Sequence, residues 1–240
     1  MSDLPALRRV GHKGADHIAP GNTAASFDAA LAAGVDMIEF DVLPEDRHRP
    51  ADSRLLLSHD YDHDLAAALT LDEGLAHLAS SPFTTTELDV DLKLPGYEAR
   101  VVEALRTHGL VERALVSSTF MRSLVAVRAI EPRLRLGWSV PRARRDYTAS
   151  RLWALPAYAM VARIRRRLPA AAREHLAAGR CDAVMAHWRL VSRALVESVG
   201  EAGGELYVWT VDDAARIRSL EAMGVTGVIT NDPRLFGAPA

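Results

Sequence analysis

Two carboxylates alternate with bulky apolar residues in Met37-Ile38-Glu39-Phe40-Asp41-Val42. Side chains at i and i+2 of an extended strand point the same way, so Glu39 and Asp41 project together from a segment suited to a core. Like charges buried side by side are costly unless positive charge sits between them. A hard divalent cation, Mg²⁺ or Ca²⁺, meets that need because such ions take carboxylate oxygens. The competing reading is an edge strand with its polar face in water, but the flanking residues are too apolar for an edge. The alternation returns in Glu87-Leu88-Asp89-Val90-Asp91-Leu92-Lys93, which adds Asp91 as a third candidate ligand and places Lys93 on the same face. His12 and Lys13 follow the first short apolar run, and His59 follows Leu55-Leu56-Leu57. Two imidazoles titrating near neutrality can divide general-base and general-acid roles. Lysines beside them can neutralise a phosphate. Such a set suits cleavage of a phosphodiester, with a metal stabilising charge on the phosphoryl oxygens.

These residues need a scaffold that brings them to one place. The pattern predicts strands around Val10, Ile38, Val90, Leu115, Leu136, Val184, Tyr207 and Val228. Helices are expected between most of them: Ala24 to Ala33, Thr70 to Ser80, Tyr97 to His108, Met121 to Ile130, Ser192 to Glu201 and Asp213 to Met223. Alternating strands and helices imply parallel pairing with right-handed crossovers. Eight such units close a (β/α)₈ TIM barrel, whose active site lies at the carboxyl ends of its strands. An open doubly wound sheet is the alternative, but no glycine-rich phosphate fingerprint follows the first strand. In a barrel, His12, Lys13, Glu39, Asp41, His59, Asp91 and Lys93 gather at one mouth. Trp209 and His187 end later strands there. Trp209 offers a face for a glycerol or headgroup, with a core role as its competitor. His187 either touches substrate or bonds a neighbour.

Length and composition agree with a barrel. The chain has 240 residues, 49% of them apolar, and a net charge of −2, which suits one domain spanning 1–240. Cys181 is the one cysteine, so no internal disulfide can form. Residues 1–10 carry no apolar run of the kind a secretory leader needs, and a cytoplasmic location is expected. Of 29 basic residues only Lys13 and Lys93 are lysines. Arginine's planar fork does not imitate a compact ammonium, so these two positions point to the site.

At these residues the sequence resembles the glycerophosphodiester phosphodiesterase family. The matching segments are Gly11-His12-Lys13-Gly14 with Pro20-Gly21-Asn22-Thr23, Ile38-Glu39-Phe40-Asp41-Val42, His59-Asp60, Asp91-Leu92-Lys93, Trp209-Thr210-Val211 and Gly227-Val228-Ile229-Thr230-Asn231-Asp232-Pro233. The resemblance runs nearly end to end. It implies a TIM-type barrel that hydrolyses glycerophosphodiesters to an alcohol and glycerol phosphate with Mg²⁺ or Ca²⁺. It implies His12 and His59 as the acid/base pair and Glu39, Asp41 and Asp91 as ligands. It also implies that a substrate hydroxyl can attack phosphorus first, giving a cyclic phosphate that water opens. Three positions depart from the family pattern: Lys13 stands for arginine, Gly21 for glutamate and Asp91 for glutamate. The 11 residues between His59 and Leu71 leave no room for the small cap that relatives often insert there.

Residues 142–180 contain ten arginines and two acids, with apolar residues from Leu152 to Leu168 between them. One reading is an ordinary barrel helix with a solvated arginine face. The other is an interfacial segment whose arginines meet anionic lipid, peripheral to the inner face of the membrane. Pro156 is expected to split it into two pieces. Aromatic stacking groups are too sparse for a nucleic-acid partner; oligomeric state is left open. Three functions therefore compete: hydrolysis of small glycerophosphodiesters, a lysophospholipase D-like action on membrane lipid phosphodiesters, and a non-catalytic barrel that binds phosphodiesters or membranes.

Overall fold

A computed structural model describes the backbone of residues 6–62, 65–141 and 154–237, and their side chains except those of 154–159. Leu152, Trp153 and the rest of 142–153 lie outside the described residues, as do the side chains of Leu155, Pro156 and Tyr158.

Among the described residues nine strands form one sheet: β1 (Arg8–Gly11), β2 (Met37–Pro44), β3 (Leu55–Leu57), β4 (Glu87–Leu92), β5 (Ala114–Ser118), β6 (Arg135–Val140), β7 (Ala183–His187), β8 (Glu205–Trp209) and β9 (Gly227–Thr230). Eight of them pair in parallel, and β1 pairs with both β2 and β9, so the sheet closes on itself. The expected (β/α)₈ TIM barrel is borne out. The ninth strand, β3, runs antiparallel on the outside of β2 through Val42–Leu57, Leu43–Leu56 and Pro44–Leu55, which folds the chain back and delivers His59 to the rim.

Among the described residues seven α-helices cover the barrel: α1 (Ala24–Ala32), α2 (Leu71–Leu78), α3 (Glu98–Thr107), α4 (Met121–Ile130), α5 (Ala154–Ala177), α6 (Arg193–Glu201) and α7 (Ala214–Met223). Capping fixes several starts. Thr70 accepts from the Glu73 N–H while the Glu73 side chain reaches back to Thr70, the reciprocal capping box. Thr23, Ser192 and Asp213 cap α1, α6 and α7 in the same sense. From Ala154 onward α5 runs as one helix through Pro156; the stretch before it, where the first of the two expected pieces would lie, is outside the described residues.

The barrel interior is layered. At the floor, Glu87 accepts from Arg8 and from Arg135 (2.5 Å), while Arg135 and Tyr207 both reach Glu205 (3.4 and 3.3 Å). Above lies an apolar plug that includes Val10, Met37, Leu115, Met185, Tyr207 and Ile229. The charged residues of the mouth stand on top of that plug. The outer faces of the strands pack against the helices in a larger core.

The β1–α1 connection is tight. Lys13 and Gly14 both take positive φ, +51° and +86°. A Cβ on Gly14 would lie 2.7 Å from the Ser26 carbonyl carbon and oxygen, backbone atoms that α1 holds in place. Gly109 after α3 has φ +68° but open space around it. Replacing either glycine costs ~1–2 kcal/mol for the left-handed backbone alone. Gly14→Ala should therefore destabilise the protein well beyond Gly109→Ala in urea unfolding. Equal losses in the two variants would show that the packing of this turn against α1 contributes nothing.

Candidate active site

The pairing of β2 with β4 sets Glu39 beside Asp89 and Asp41 beside Asp91. With side chains alternating across each strand, all four acids face the barrel axis in two tiers. Asp41 is fully buried and Glu39 nearly so. One carboxylate oxygen from each of Glu39, Asp41 and Asp91 lies within 4.8 Å of the others.

Lys93 shares this space. Its ammonium lies 2.5 Å from Asp91 Oδ2 and against Asp41 Oδ1. Burial alone would push the ammonium towards neutrality, but Asp41, Asp91 and Glu39 outweigh it and raise its pKa well above the ordinary lysine value. Burial likewise disfavours the Asp41 carboxylate, yet Lys93, His59 and His12 hold its pKa below the usual range. Glu39 goes the other way: burial and then the neighbouring Asp41 charge push its pKa well up. One ammonium thus serves three carboxylates, and the shortage of positive charge falls on Glu39. Asp91 Oδ1 is buried and accepts no hydrogen bond, and Asp41 Oδ1 faces the Lys93 ammonium. A divalent ion added to Lys93 would balance the three acids and give the Asp91 oxygen a partner, so this all-oxygen donor set fits a hard cation. Asp89 sits level with Glu39 but outside the trio; burial pushes its pKa up to about 8.

The turn after β1 shapes the site mainly through its backbone. The Lys13 N–H donates to Glu39 Oε2 (2.8 Å) and the Gly14 N–H to the Glu39 carbonyl (3.1 Å). Lys13 turns its ammonium to Asp16, 3.4 Å away. Its visible contribution to the site is therefore the N–H. Asn22, whose φ is +60°, donates through Nδ2 to Asp41 Oδ2 (2.9 Å) and accepts the Asp41 N–H at Oδ1 (3.0 Å). The cap of α1 is Thr23 rather than Asn22, which frees the Asn22 amide to bracket the buried carboxylate.

His12 continues the β1–β9 ladder through its N–H to Thr230 O (2.8 Å). Its Nδ1 stands 2.6 Å from Asn231 Oδ1 and its Nε2 3.8 Å from Glu39 Oε2. Burial dominates its environment and lowers its pKa below the ordinary imidazole value, which favours the neutral ring. An amide oxygen only accepts, so Nδ1 carries the proton and Nε2 keeps its lone pair. His59 is half exposed and bonds Asp60 Oδ2 through Nδ1 (3.0 Å). Its Nε2 is again the remaining nitrogen.

His12, Glu39, His59, Asp91 and Lys93 line a cleft of about 450 Å³ together with Leu94, Phe120, Pro141 and Trp209. Trp209 is held by a hydrogen bond from Nε1 to Met185 O (2.8 Å) and packs edge-on against His187, ring centres 5.2 Å apart. His187 does not line this cleft. It supports Trp209 from the side, accepts the Arg189 N–H at Nδ1 (3.3 Å) and stacks on Trp188. The structure thus brings together His12, His59, the three acids, Lys93 and Trp209, and sets Lys13 and His187 against neighbours instead. Asn22 and Asn231 have roles that spacing alone did not reveal, though both lie in the segments that carry the family resemblance.

The model of the glycerophosphoryl diester phosphodiesterase family matches residues 12–92 and 85–235. A curated glycerophosphodiester phosphodiesterase from Caldanaerobacter subterraneus subsp. tengcongensis is 25% identical, with 93% of each chain covered. A glycerophosphodiester phosphodiesterase structure from Agrobacterium tumefaciens superposes with a TM-score of 0.67 at 22% identity, covering 96% of this chain and 99% of that one. A phosphodiesterase from Oleispira antarctica, solved in complex with the product sn-glycerol-3-phosphate, gives a TM-score of 0.69 at 21% identity, covering 97% and 95%. The two structures share the barrel fold, and the family model spans nearly all of the chain. The chain belongs to the glycerophosphoryl diester phosphodiesterase family and is an enzyme, a phosphodiester hydrolase.

Proposed function

We propose that the protein hydrolyses glycerophosphodiesters to an alcohol and glycerol phosphate, with Mg²⁺ or Ca²⁺ held by Glu39, Asp41 and Asp91. The observation that carries this reading is the trio of carboxylate oxygens within 4.8 Å, served by a single ammonium, on the cleft that His12 and His59 also line. A bound divalent ion supplies charge stabilisation on the phosphoryl oxygens. The remaining work belongs to side chains. His12, neutral and with its Nε2 lone pair available, takes the proton of the attacking hydroxyl. The bond from phosphorus to the leaving alcohol breaks, and a protonated His59 gives its proton to the departing oxygen. Where the attacker is the substrate's own hydroxyl, the product is a cyclic phosphate, and water opens it with the two roles reversed. Lys93 adds a point charge beside the phosphate, and Trp209 offers a flat face to the glycerol or headgroup.

Glycerol phosphate release from glycerophosphocholine should stop with chelator and return with Mg²⁺ or Ca²⁺. His12→Ala and His59→Ala should each lower kcat by ~10²–10⁴-fold. Because burial lowers the His12 pKa, the acid limb of kcat/KM, where the base becomes protonated, should lie below the ordinary imidazole value of ~6.5. Undiminished turnover in chelator would rule out the metal role, and no turnover under any ion would favour a binding barrel.

A second reading, in which the phosphodiester is drawn from a membrane, is favoured by α5. Its 24 residues span ~36 Å, whereas the other helices have at most 10 residues, or ~15 Å. Leu168, Ala172 and Leu176 anchor its second half in the core. Near its middle, Arg163, Arg165, Arg166 and Arg167 are exposed and make no ion pair among the described residues. Met160 beside them is 49% exposed. Such a face suits anionic headgroups. Binding to vesicles rich in anionic lipid should exceed binding to neutral ones at low salt and weaken in the triple variant R163E/R166E/R167E. Equal binding to both vesicle types would end this reading. Faster turnover of lysophosphatidylcholine than of glycerophosphocholine would make lipid the main substrate.

A further inference from the structure

Behind His12 stands a chain of hydrogen bonds with a fixed direction. Asp212, in the loop after β8, accepts the Asn231 N–H at Oδ1 (2.8 Å) and the Thr230 hydroxyl at the same oxygen (3.0 Å). Its Oδ2 accepts Asn231 Nδ2 (2.7 Å). A carboxylate is an acceptor only. The Asn231 amide must therefore turn its NH₂ to Asp212 and its oxygen to His12, 2.6 Å from Nδ1. That oxygen in turn demands a proton on Nδ1 of the neutral ring. The loop itself is anchored, because Val211 donates to Ile229 O (2.9 Å) and His17 to Asn231 O (3.0 Å).

We infer that Asp212 is a positioning residue for His12, acting through the Asn231 amide to decide which ring nitrogen carries the proton and so which one can act as base. This rests on the proposed role of His12 as base. Asp212 touches neither cleft nor carboxylate trio, and its side chain is exposed at the rim, so removing its charge opens no cavity.

The direction of the chain makes a sharp test possible. In Asp212→Asn, the new amide still accepts the Asn231 backbone N–H at its oxygen, so its NH₂ faces the Asn231 side chain. Asn231 must then present its oxygen to residue 212 and its NH₂ to His12. Nδ1 becomes the acceptor and the proton moves to Nε2, the atom that should take up the substrate's proton. The reciprocal pair D212N/N231D restores the order: the carboxylate at 231 accepts from both His12 Nδ1 and the amide at 212.

The measurement is the histidine tautomer by long-range ¹H–¹⁵N correlation on ¹⁵N-histidine protein, about one unit above the ordinary imidazole pKa of ~6.5, with His12 assigned by comparison with His12→Ala. Wild type should show Nδ1–H, D212N should show Nε2–H, and the reciprocal pair should show Nδ1–H again. In parallel, kcat of D212N should fall ~10²-fold with KM little changed, and the pair should recover most of that loss. An unchanged tautomer in D212N, or a reciprocal pair no better than the single variant, would overturn the inference while leaving the base role of His12 intact. Full activity in His12→Ala would instead remove the base role itself.

Discussion

Three carboxylates and one ammonium share the top of the barrel, and most of the site is arranged around that imbalance. Left to themselves, Glu39, Asp41 and Asp91 would repel one another in a place where water screens little. Lys93 relieves part of this by sitting between Asp41 and Asp91. The backbone relieves another part: the Lys13 N–H reaches Glu39, and the Asn22 amide holds both the side chain and the N–H of Asp41. The remainder shows as the upward shift of Glu39. A site short of one or two positive charges, with buried oxygens already turned inward, is a site prepared for a cation. Removing one acid would weaken that attraction, and removing Lys93 would leave Asp41 buried with far less compensation.

The scaffold tolerates this because polar and apolar tiers alternate along the axis. The apolar plug around Met37, Leu115, Met185 and Tyr207 separates the acids of the mouth from the arginine–glutamate lattice of the floor. Asp89 marks the border. It is buried beside Ser117, and its pKa of about 8 favours the neutral acid near pH 7. A protonated Asp89 adds no fourth negative charge beside the trio.

Much of this was legible in the chain because strand alternation has a short, rigid period. Glu39 and Asp41 two apart, and Asp91 and Lys93 two apart, can only share a face if their segments are strands, and all eight barrel strands fall where apolar alternation put them. What alternation could not convey was where long, flexible or amide-bearing side chains would end. Lys13 has a four-carbon reach and a carboxylate three residues ahead, so it turns to Asp16. His187 ends β7 as expected but meets Trp188 and Trp209 first. Asn22 read equally well as a helix cap; only the closed turn shows its amide on Asp41. Asn231 and Asp212 lie 19 residues apart on different loops, and nothing local signals that they meet. Pro156 looked like a break because proline usually ends helices, yet from Ala154 onward α5 stays helical through it.

The two imidazoles are held in opposite ways, and that contrast bears on their division of labour. His12 is largely buried, tied to a neutral amide, with its Nε2 aimed at the carboxylate trio. His59 is half exposed and tied directly to a carboxylate on its own chain neighbour. Burial against a neutral acceptor favours an imidazole that waits unprotonated for a proton. A rim position beside Asp60, open to solvent, suits a ring that must be recharged after each turnover. The backbone explains how both arise: β1 ends in the interior and carries His12 inward, whereas β3 lies outside β2 and sends His59 over the rim. In the proposed reaction, that rim position sets the proton donor on the solvent side of the cleft.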